Sequence, residues 1–552
     1  MTSGRVKVKR ATGLAISQAV LLVGALGCSK AAPATDTSGA TVPPGGVATA
    51  PNTAGAAGAK APGTSMTVPS NQPTPGGAKS PTMTGGPGDV TNPGTSTATA
   101  GAGSPTTATA GGGAPAGAAG GGAPNVPVGD ATVDWTMMGY DPGSTYFNKA
   151  EKTITKDNAA SLQVIWEKDL GGNVLGGALQ VGDKMYASGP GAVFALDAAT
   201  GNELWKVTAA SSSTLGYAND TLYLHSTSGN VMAFKAADGS MLWSMKPDPS
   251  GTDGSSSAIP VGGVILVGGS SGTAELGGGT YRGFMSALDI ASGAKKWTTF
   301  TVPEGSVGAS FWSTASASMA EGLVFGGTGN NYAPPATDTS DSIIAFDFNT
   351  GDIKWKYQRV MDDTFPANFS APDSDFGNNP VVVDVMIGGA MEKVVAGGTK
   401  YGYIVALKRA TGELIWKRDI CKGGGSADGD KGLFTNFSFS GKGFVGACNE
   451  AGPATLISLD PATGDMQWTR PLPGRVFGRM AFANGVGFIG TGEAVEAFDA
   501  DTGTMIKSFP SKAGTVASTI TISRGRVTFG DGIAWLPAGL KAGSTLTVLG
   551  LK

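Results

Sequence analysis

Between Trp312 and Tyr332 the chain reads Trp312-Ser313-Thr314 and then Thr328-Gly329-Asn330-Asn331-Tyr332, with Asn330 eighteen residues after the tryptophan. An indole plate and an amide oxygen at that offset can sandwich and coordinate a flat, oxygen-rich cofactor, provided both ends of the stretch reach one cavity. Carboxylates and a lysine follow at Asp362, Asp363, Asp373-Ser374-Asp375 and Lys400. The one histidine, His225, lies in the alternating run Thr221-Leu222-Tyr223-Leu224-His225 and reads as a strand residue. Serine–histidine triads and zinc sites built on several histidines are thereby excluded. Acid–base chemistry falls to carboxylates or lysines.

These residues need a scaffold, and the chain announces one by repetition. Phe194-Ala195-Leu196-Asp197-Ala198-Ala199-Thr200-Gly201 leads to Trp205, and the Gly-to-Trp step of four recurs at Gly239, Gly293, Gly351, Gly412 and Gly464. A seventh copy ends at Gly503, with Lys507 in the tryptophan's place. Each copy reads as an apolar strand, a tight turn that needs glycine for its positive φ, and a second strand, with the tryptophan free to dock between neighbouring units. Runs such as Val264-Ile265-Leu266-Val267 supply the remaining strands of four-stranded blades. The segments 516–522, 526–536 and 544–549 offer three strands that lack a fourth, and Val164-Ile165-Trp166-Glu167 is a lone strand ahead of the first copy. Joining the two ends gives an all-β, eight-bladed propeller with no free sheet edge, seven blades being the alternative count.

The copies are uneven. Gly201 to Gly239 spans 38 residues, whereas Gly351 to Gly412 spans 61. Insertions in such repeats gather on one face, commonly the binding face. They hold Glu275, Tyr281-Arg282-Gly283, the Trp312–Tyr332 stretch, Asp373-Ser374-Asp375-Phe376-Gly377 and Thr399-Lys400-Tyr401.

With these motifs the chain resembles the pyrroloquinoline quinone (PQQ) dehydrogenases, and more closely their polyvinyl-alcohol-dehydrogenase-like branch, over about Asp134 to Lys552. The resemblance implies oxidation of an alcohol by hydride transfer to PQQ, with Ca²⁺ as a second cofactor. Glu275, Asn330 and Asp375 correspond to its calcium ligands, and Trp312, Lys400 and Arg282 to its cofactor contacts. Asp375 corresponds to the catalytic base, assisted by Lys400; Asp362, Asp363 and Asp373 compete for that assignment. Two departures stand out: Thr145 is followed by Tyr146 where relatives often have arginine, and no adjacent cysteine pair is present. A similar repeat occurs in the propeller lipoprotein of outer-membrane barrel assembly, so a non-catalytic scaffold for membrane proteins or glycans is the competing expectation.

The N-terminal region sets the compartment. Basic residues Arg5 to Arg10, the uncharged run 11–27 and Gly24-Ala25-Leu26-Gly27-Cys28 read as a secretory signal ending in a lipobox, with Cys28 lipidated. Residues 28–128, rich in Ala, Gly, Pro and Thr, read as a disordered tether whose coil of roughly 100 residues reaches about 50–60 Å. The propeller then occupies 129–552. The expected location is the outer membrane, periplasm or cell surface of a Gram-negative bacterium, with membrane contact through the lipid alone. The net charge is −3, and residues 1–27 hold four positive charges and no negative ones, so the remainder is more acidic and nothing points to nucleic acid. Cys421 and Cys448 could pair in an exported protein, which sequence alone leaves open. No Cys-x-x-Cys-His is present, so a monomeric enzyme would pass electrons to a separate carrier such as a soluble cytochrome.

Overall fold

The computed structural model describes residues 133–249, 255–270, 280–365, 373–421, 432–433, 435–449, 452–533 and 540–552. The signal segment, Cys28, the tether and Glu275 lie outside the described residues.

The described chain forms eight four-stranded antiparallel sheets, one per blade. Blades 1 to 7 each use four consecutive strands, from 179–208 for blade 1 to 481–510 for blade 7. Blade 8 takes Thr521–Ser523, Arg526–Gly530 and Thr545–Gly550 from the C-terminus and closes with Gln163–Asp169, which pairs with Thr545–Gly550 as its outer strand. The expected ring closure is therefore found, with shorter strands than the sequence suggested: Val516 contributes only an isolated bridge to Asp531, and the second strand of blade 8 stops at Gly530. Middle strands such as Val264–Gly269 are buried along their whole length, which is why they read as unbroken apolar runs. Outer strands such as Glu203–Thr208 alternate between exposed and half-buried residues.

Each docking tryptophan seats on the glycine of the following copy. A Cβ on Gly201, Gly239, Gly293, Gly351, Gly412, Gly464 or Gly503 would lie 2.5–2.8 Å from an indole carbon of Trp166, Trp205, Trp243, Trp297, Trp355, Trp416 or Trp468 respectively. These glycines also hold φ near +72 to +77°, so both backbone conformation and indole contact exclude other residues. Six of the indoles donate to a carbonyl of the same turn, as Trp166 Nε1 does to Ala198 O at 3.0 Å. Lys507 breaks the rule because blade 8 is made from both chain ends and has no such turn to offer. Its ammonium instead donates to the carbonyls of Ala160 (2.8 Å) and Leu162 (2.9 Å), in the chain that leads into the closing strand.

A strap that the sequence did not reveal lies inside the ring. Residues 133–148 run around the innermost strands, bonding in turn to Gln180, Tyr217, Ala317, Val382, Phe439 and Phe482 through their own backbone groups, and to blade 8 through Asn148 Nδ2 to Ile522 O. Blade 3 is the exception, because Pro260 occupies the equivalent place and has no N–H to give. Trp135 and Tyr146 of the strap are fully buried. The strap starts near the turns that join first to second strands, where Asp134 accepts from Gly182 N and pairs with Arg524.

Candidate functional site

The residues singled out in the sequence stand at the opposite end of the blades. Trp312 precedes the inner strand Ser316–Ser318 of blade 4, and Asn330 follows that blade's second strand, Leu323–Gly327. Asp373 and Asp375 precede Val381–Ile387, the inner strand of blade 5, and Lys400 follows Ala390–Gly398, its second strand. Because neighbouring strands are antiparallel, the start of a first strand and the end of a second lie at one end of a blade. The four elements therefore converge.

Their contacts are direct. Asp375 Oδ2 accepts from Trp312 Nε1 at 2.9 Å and pairs with Lys400 Nζ at 2.7 Å, while Oδ1 accepts from Asn330 N at 2.9 Å. Lys400 Nζ also bonds both oxygens of Asp373, at 3.0 and 3.1 Å, and stands 4.9 Å from the centre of the Trp312 ring. A polar chain around the ring holds the tryptophan's segment. Gly177 N donates to Thr214 Oγ1, Thr214 N to Ser257 Oγ, Ser257 N to Thr314 Oγ1 and Thr314 N to Asn379 Oδ1. Asn379 Nδ2 then donates to Tyr146 Oη in the strap at 2.7 Å. Tyr146 thus ends a hydrogen-bond chain through five blades, and burial raises its phenol to about 12.

The competing aspartates separate. Asp362 is exposed. Asp363 accepts the backbone N–H of Phe365 (3.1 Å) and Ser374 (3.0 Å), and burial followed by the charge of Asp375 pushes it up to about 6. Asp373 is the second partner of Lys400; burial raises it to about 7 against the pull of that lysine. Asp341, in Asp338-Thr339-Ser340-Asp341, carries no sequence signal that sets it apart from a loop carboxylate. It is fully buried, neither carboxylate oxygen finds a hydrogen-bond partner among the described residues, and burial, then Asp363 and Asp375, raise it well above the usual aspartate range. Asp373 and Asp375 thus share the Lys400 ammonium, with Asp341 and Asp363 raised by burial and by the charges of their acidic neighbours, a cluster that a bound cation would relieve.

Arg282 does not join the group. Its Nε and Nη2 donate to Val302 O and its guanidinium stacks on Phe300, so it braces blade 3, although its backbone bridges to Gly308, which in turn bridges to Asn331. Asn330 directs Nδ2 to the carbonyls of Asn331 and Phe365, which leaves Oδ1 as the available end of the amide. Among the described residues no three acidic, histidine or cysteine side chains converge at metal-binding range. Cys421 and Cys448 are bonded, with 5.3 Å between their Cα atoms.

Comparison with known proteins gives this arrangement a setting. A family model described as outer membrane protein assembly factor BamB matches residues 150–341 and 400–532. The polyvinylalcohol dehydrogenase of Sphingopyxis sp. (strain 113P3) is 26% identical over 358 residues, covering 56% of this chain and 54% of that protein. The quinohemoprotein alcohol dehydrogenase of Comamonas testosteroni is 23% identical over 339 residues, 51% of this chain and 46% of that protein. The chain spans about half the length of these curated relatives. The crystal structure of the Comamonas testosteroni enzyme superposes with a TM-score of 0.64 at 19% identity, covering 76% of this chain and 81% of the other. BamB from Moraxella catarrhalis gives 0.50 at 17% identity, covering 70% and 99%.

Proposed function

The chain belongs to the family described as outer membrane protein assembly factor BamB, and from its likeness to the quinoprotein dehydrogenases within that fold we propose that it oxidises an alcohol with PQQ as cofactor. The observation that carries this reading is the grip on Asp375 by Trp312, Lys400 and Asn330 at once. A fixed indole face, an ammonium beside it and a buried carboxylate form a donor set suited to a planar quinone. Trp312 and Lys400 would hold the quinone; Asn330 Oδ1 and Asp375, with Glu275 as third ligand, would hold Ca²⁺, which takes oxygen donors. Bound PQQ supplies a two-electron acceptor for the hydride of the alcohol.

The chain's own residues do the rest. Asp375 takes the hydroxyl proton of the alcohol, with Trp312 N–H and Asn330 N–H fixing the direction of its lone pairs. Lys400 offsets negative charge on that carboxylate and on Asp373. The strap ties the inner strands of the ring together and so steadies the blades that carry the site. Export, lipidation at Cys28, a monomeric state and a soluble cytochrome as acceptor complete the proposal.

The deciding experiment titrates the purified protein with PQQ, with and without Ca²⁺, and follows alcohol oxidation with an artificial acceptor. Saturable binding with turnover that disappears in Asp375→Asn supports the enzyme; absence of binding at micromolar PQQ overturns it. The family description favours a second reading, a propeller scaffold for outer-membrane proteins. That reading predicts no quinone absorbance and unchanged partner capture after Asn330→Ala.

A further inference from the structure

Lys400 sits on the turn 399–403, which joins the second and third strands of blade 5. Its internal bonds are Thr399 N to Tyr403 O and Gly402 N to Thr399 O, both at 2.9 Å, and Tyr403 N to Thr399 Oγ1 at 3.2 Å, while Lys400 N donates to Asp375 O at 3.0 Å. What surrounds it is more telling. Cys421, just past the outer strand Leu414–Asp419 of blade 5, is bonded to Cys448, the last residue of the second strand of blade 6. Gly402 has φ +93°, and a Cβ there would lie 2.4 Å from Cys421 Cβ and 2.9 Å from its Sγ, so the disulfide is in contact with the turn. Ile420 N donates to Gly402 O at 3.0 Å.

Cys448 connects to the same turn through its neighbour in the chain. Asn449, adjacent to Cys448, exchanges two backbone hydrogen bonds with Gly432, at 2.8 and 2.9 Å. A Cβ on Gly432 would fall 1.7 Å from the carbonyl oxygen of Lys400, so this glycine packs directly on the lysine's backbone. Leu433 N donates to Thr399 O, and the Asn449 side chain is itself fixed by Val476 O (2.7 Å) and Val476 N (2.9 Å). A closed circuit results: Gly402, Cys421, Cys448, Asn449, Gly432 and back to Lys400. A lysine ammonium rides on a four-carbon stem, so its hold on two carboxylates depends on where its backbone is kept.

We propose that the Cys421–Cys448 disulfide is a positioning element for Lys400, and that reducing it loosens the ammonium from Asp373 and Asp375. The positioning is a property of the chain itself; its effect on catalysis rests on the function proposed above.

The test uses the full chain in three states: oxidised, reduced with a phosphine, and as the Cys421→Ser/Cys448→Ser variant. Each is labelled with an amine-acylating reagent, and the rates at Lys400 and Lys507 are read by peptide mass spectrometry, alongside PQQ binding and thermal unfolding. Lys507, paired with carbonyls at a distant seam, is the internal reference. The expected result is an increase of about tenfold in the Lys400 to Lys507 rate ratio on loss of the disulfide, with weaker PQQ binding. Gly432→Ala, which keeps the disulfide but displaces the Lys400 carbonyl, should raise the ratio likewise. An unchanged ratio in protein whose thiols titrate fully, even with a lowered unfolding temperature, overturns the proposal by showing a merely structural bond. A raised ratio in a protein that binds no PQQ in any state supports the positioning and overturns the enzyme reading instead.

Discussion

The indole N–H of Trp312 donates to Oδ2 of Asp375 across 63 residues of sequence, at 2.9 Å. The same tryptophan therefore supplies a flat face and orients the carboxylate beside it. Two substitutions separate the roles. Asp375→Asn should lower alcohol turnover by about 10²–10⁴-fold while PQQ still binds. Trp312→Phe keeps a ring but removes the donor, and should lower turnover about tenfold with little change in PQQ affinity. Steady-state kinetics with fluorescence titration reads both; a large loss of affinity in Trp312→Phe would show that the N–H is not the relevant contact.

Asp341 makes the cofactor-free protein pay for a buried carboxylate, and the sign of that effect depends on pH. Its folded value is raised above the ordinary 3.8, so its unfavourable contribution is absent below that value and grows as pH rises through it. Asp341→Asn should therefore stabilise the cofactor-free protein by about 1–3 kcal/mol at pH 7, with the gain vanishing near pH 4. Denaturant unfolding at the two pH values checks this, and destabilisation at pH 7 would contradict it.

Glu321 shows the opposite linkage. Burial raises it, but Lys393, Ser318 and Arg409 together outweigh burial and bring it down to about 2 from 4.5. Its contribution is fully present above pH 4.5 and is lost as pH falls from there toward 2. The side chain is only 12% exposed, so the contribution is about 2–3 kcal/mol, and Glu321→Gln should remove it at pH 7 and flatten the acid limb of the stability curve. Acid titration followed by circular dichroism provides the measurement.

Asn148 ties the strap to the ring. Its Nδ2 donates to Val133 O and Ile522 O, and its Oδ1 accepts from Ala150 N and Glu151 N. Asn148→Ala leaves these buried groups unmatched and should cost about 2–4 kcal/mol in denaturant unfolding. Asn148→Asp keeps the acceptor half but sets a buried carboxylate oxygen against the carbonyls of Val133 and Ile522, and should cost at least as much.

The propeller was legible because its determinants are local and repeated: a glycine that alone permits the turn and a tryptophan four residues later. Lys507 was visible as an anomaly, and its reason appeared only when the closing strand Gln163–Asp169 proved to leave no turn for a tryptophan to cover. The strap was illegible because it acts through backbone groups, which no side-chain pattern records; Pro260 is its single trace, and only in hindsight. At the site, Trp312, Asn330, Asp375 and Lys400 could be grouped because they fall in order in the insertions of successive enlarged repeats and match the motifs of the resembled family. Asp341 escaped because burial, not residue type, gives it significance. Arg282 was placed by its neighbours in sequence, whereas Val302 and Phe300 decide where its guanidinium points.

The strap has a practical corollary. It begins at Val133 beside the Asp134–Arg524 pair, at the end of the blades away from Asp375. A molecule cut back to Val133 and immobilised there on an electrode or bead would thus hold its Asp375 end away from the support. Electrons bound for the support beneath would have to cross the height of the propeller. A diffusible mediator, or attachment through a loop near Lys400, would be needed to wire it.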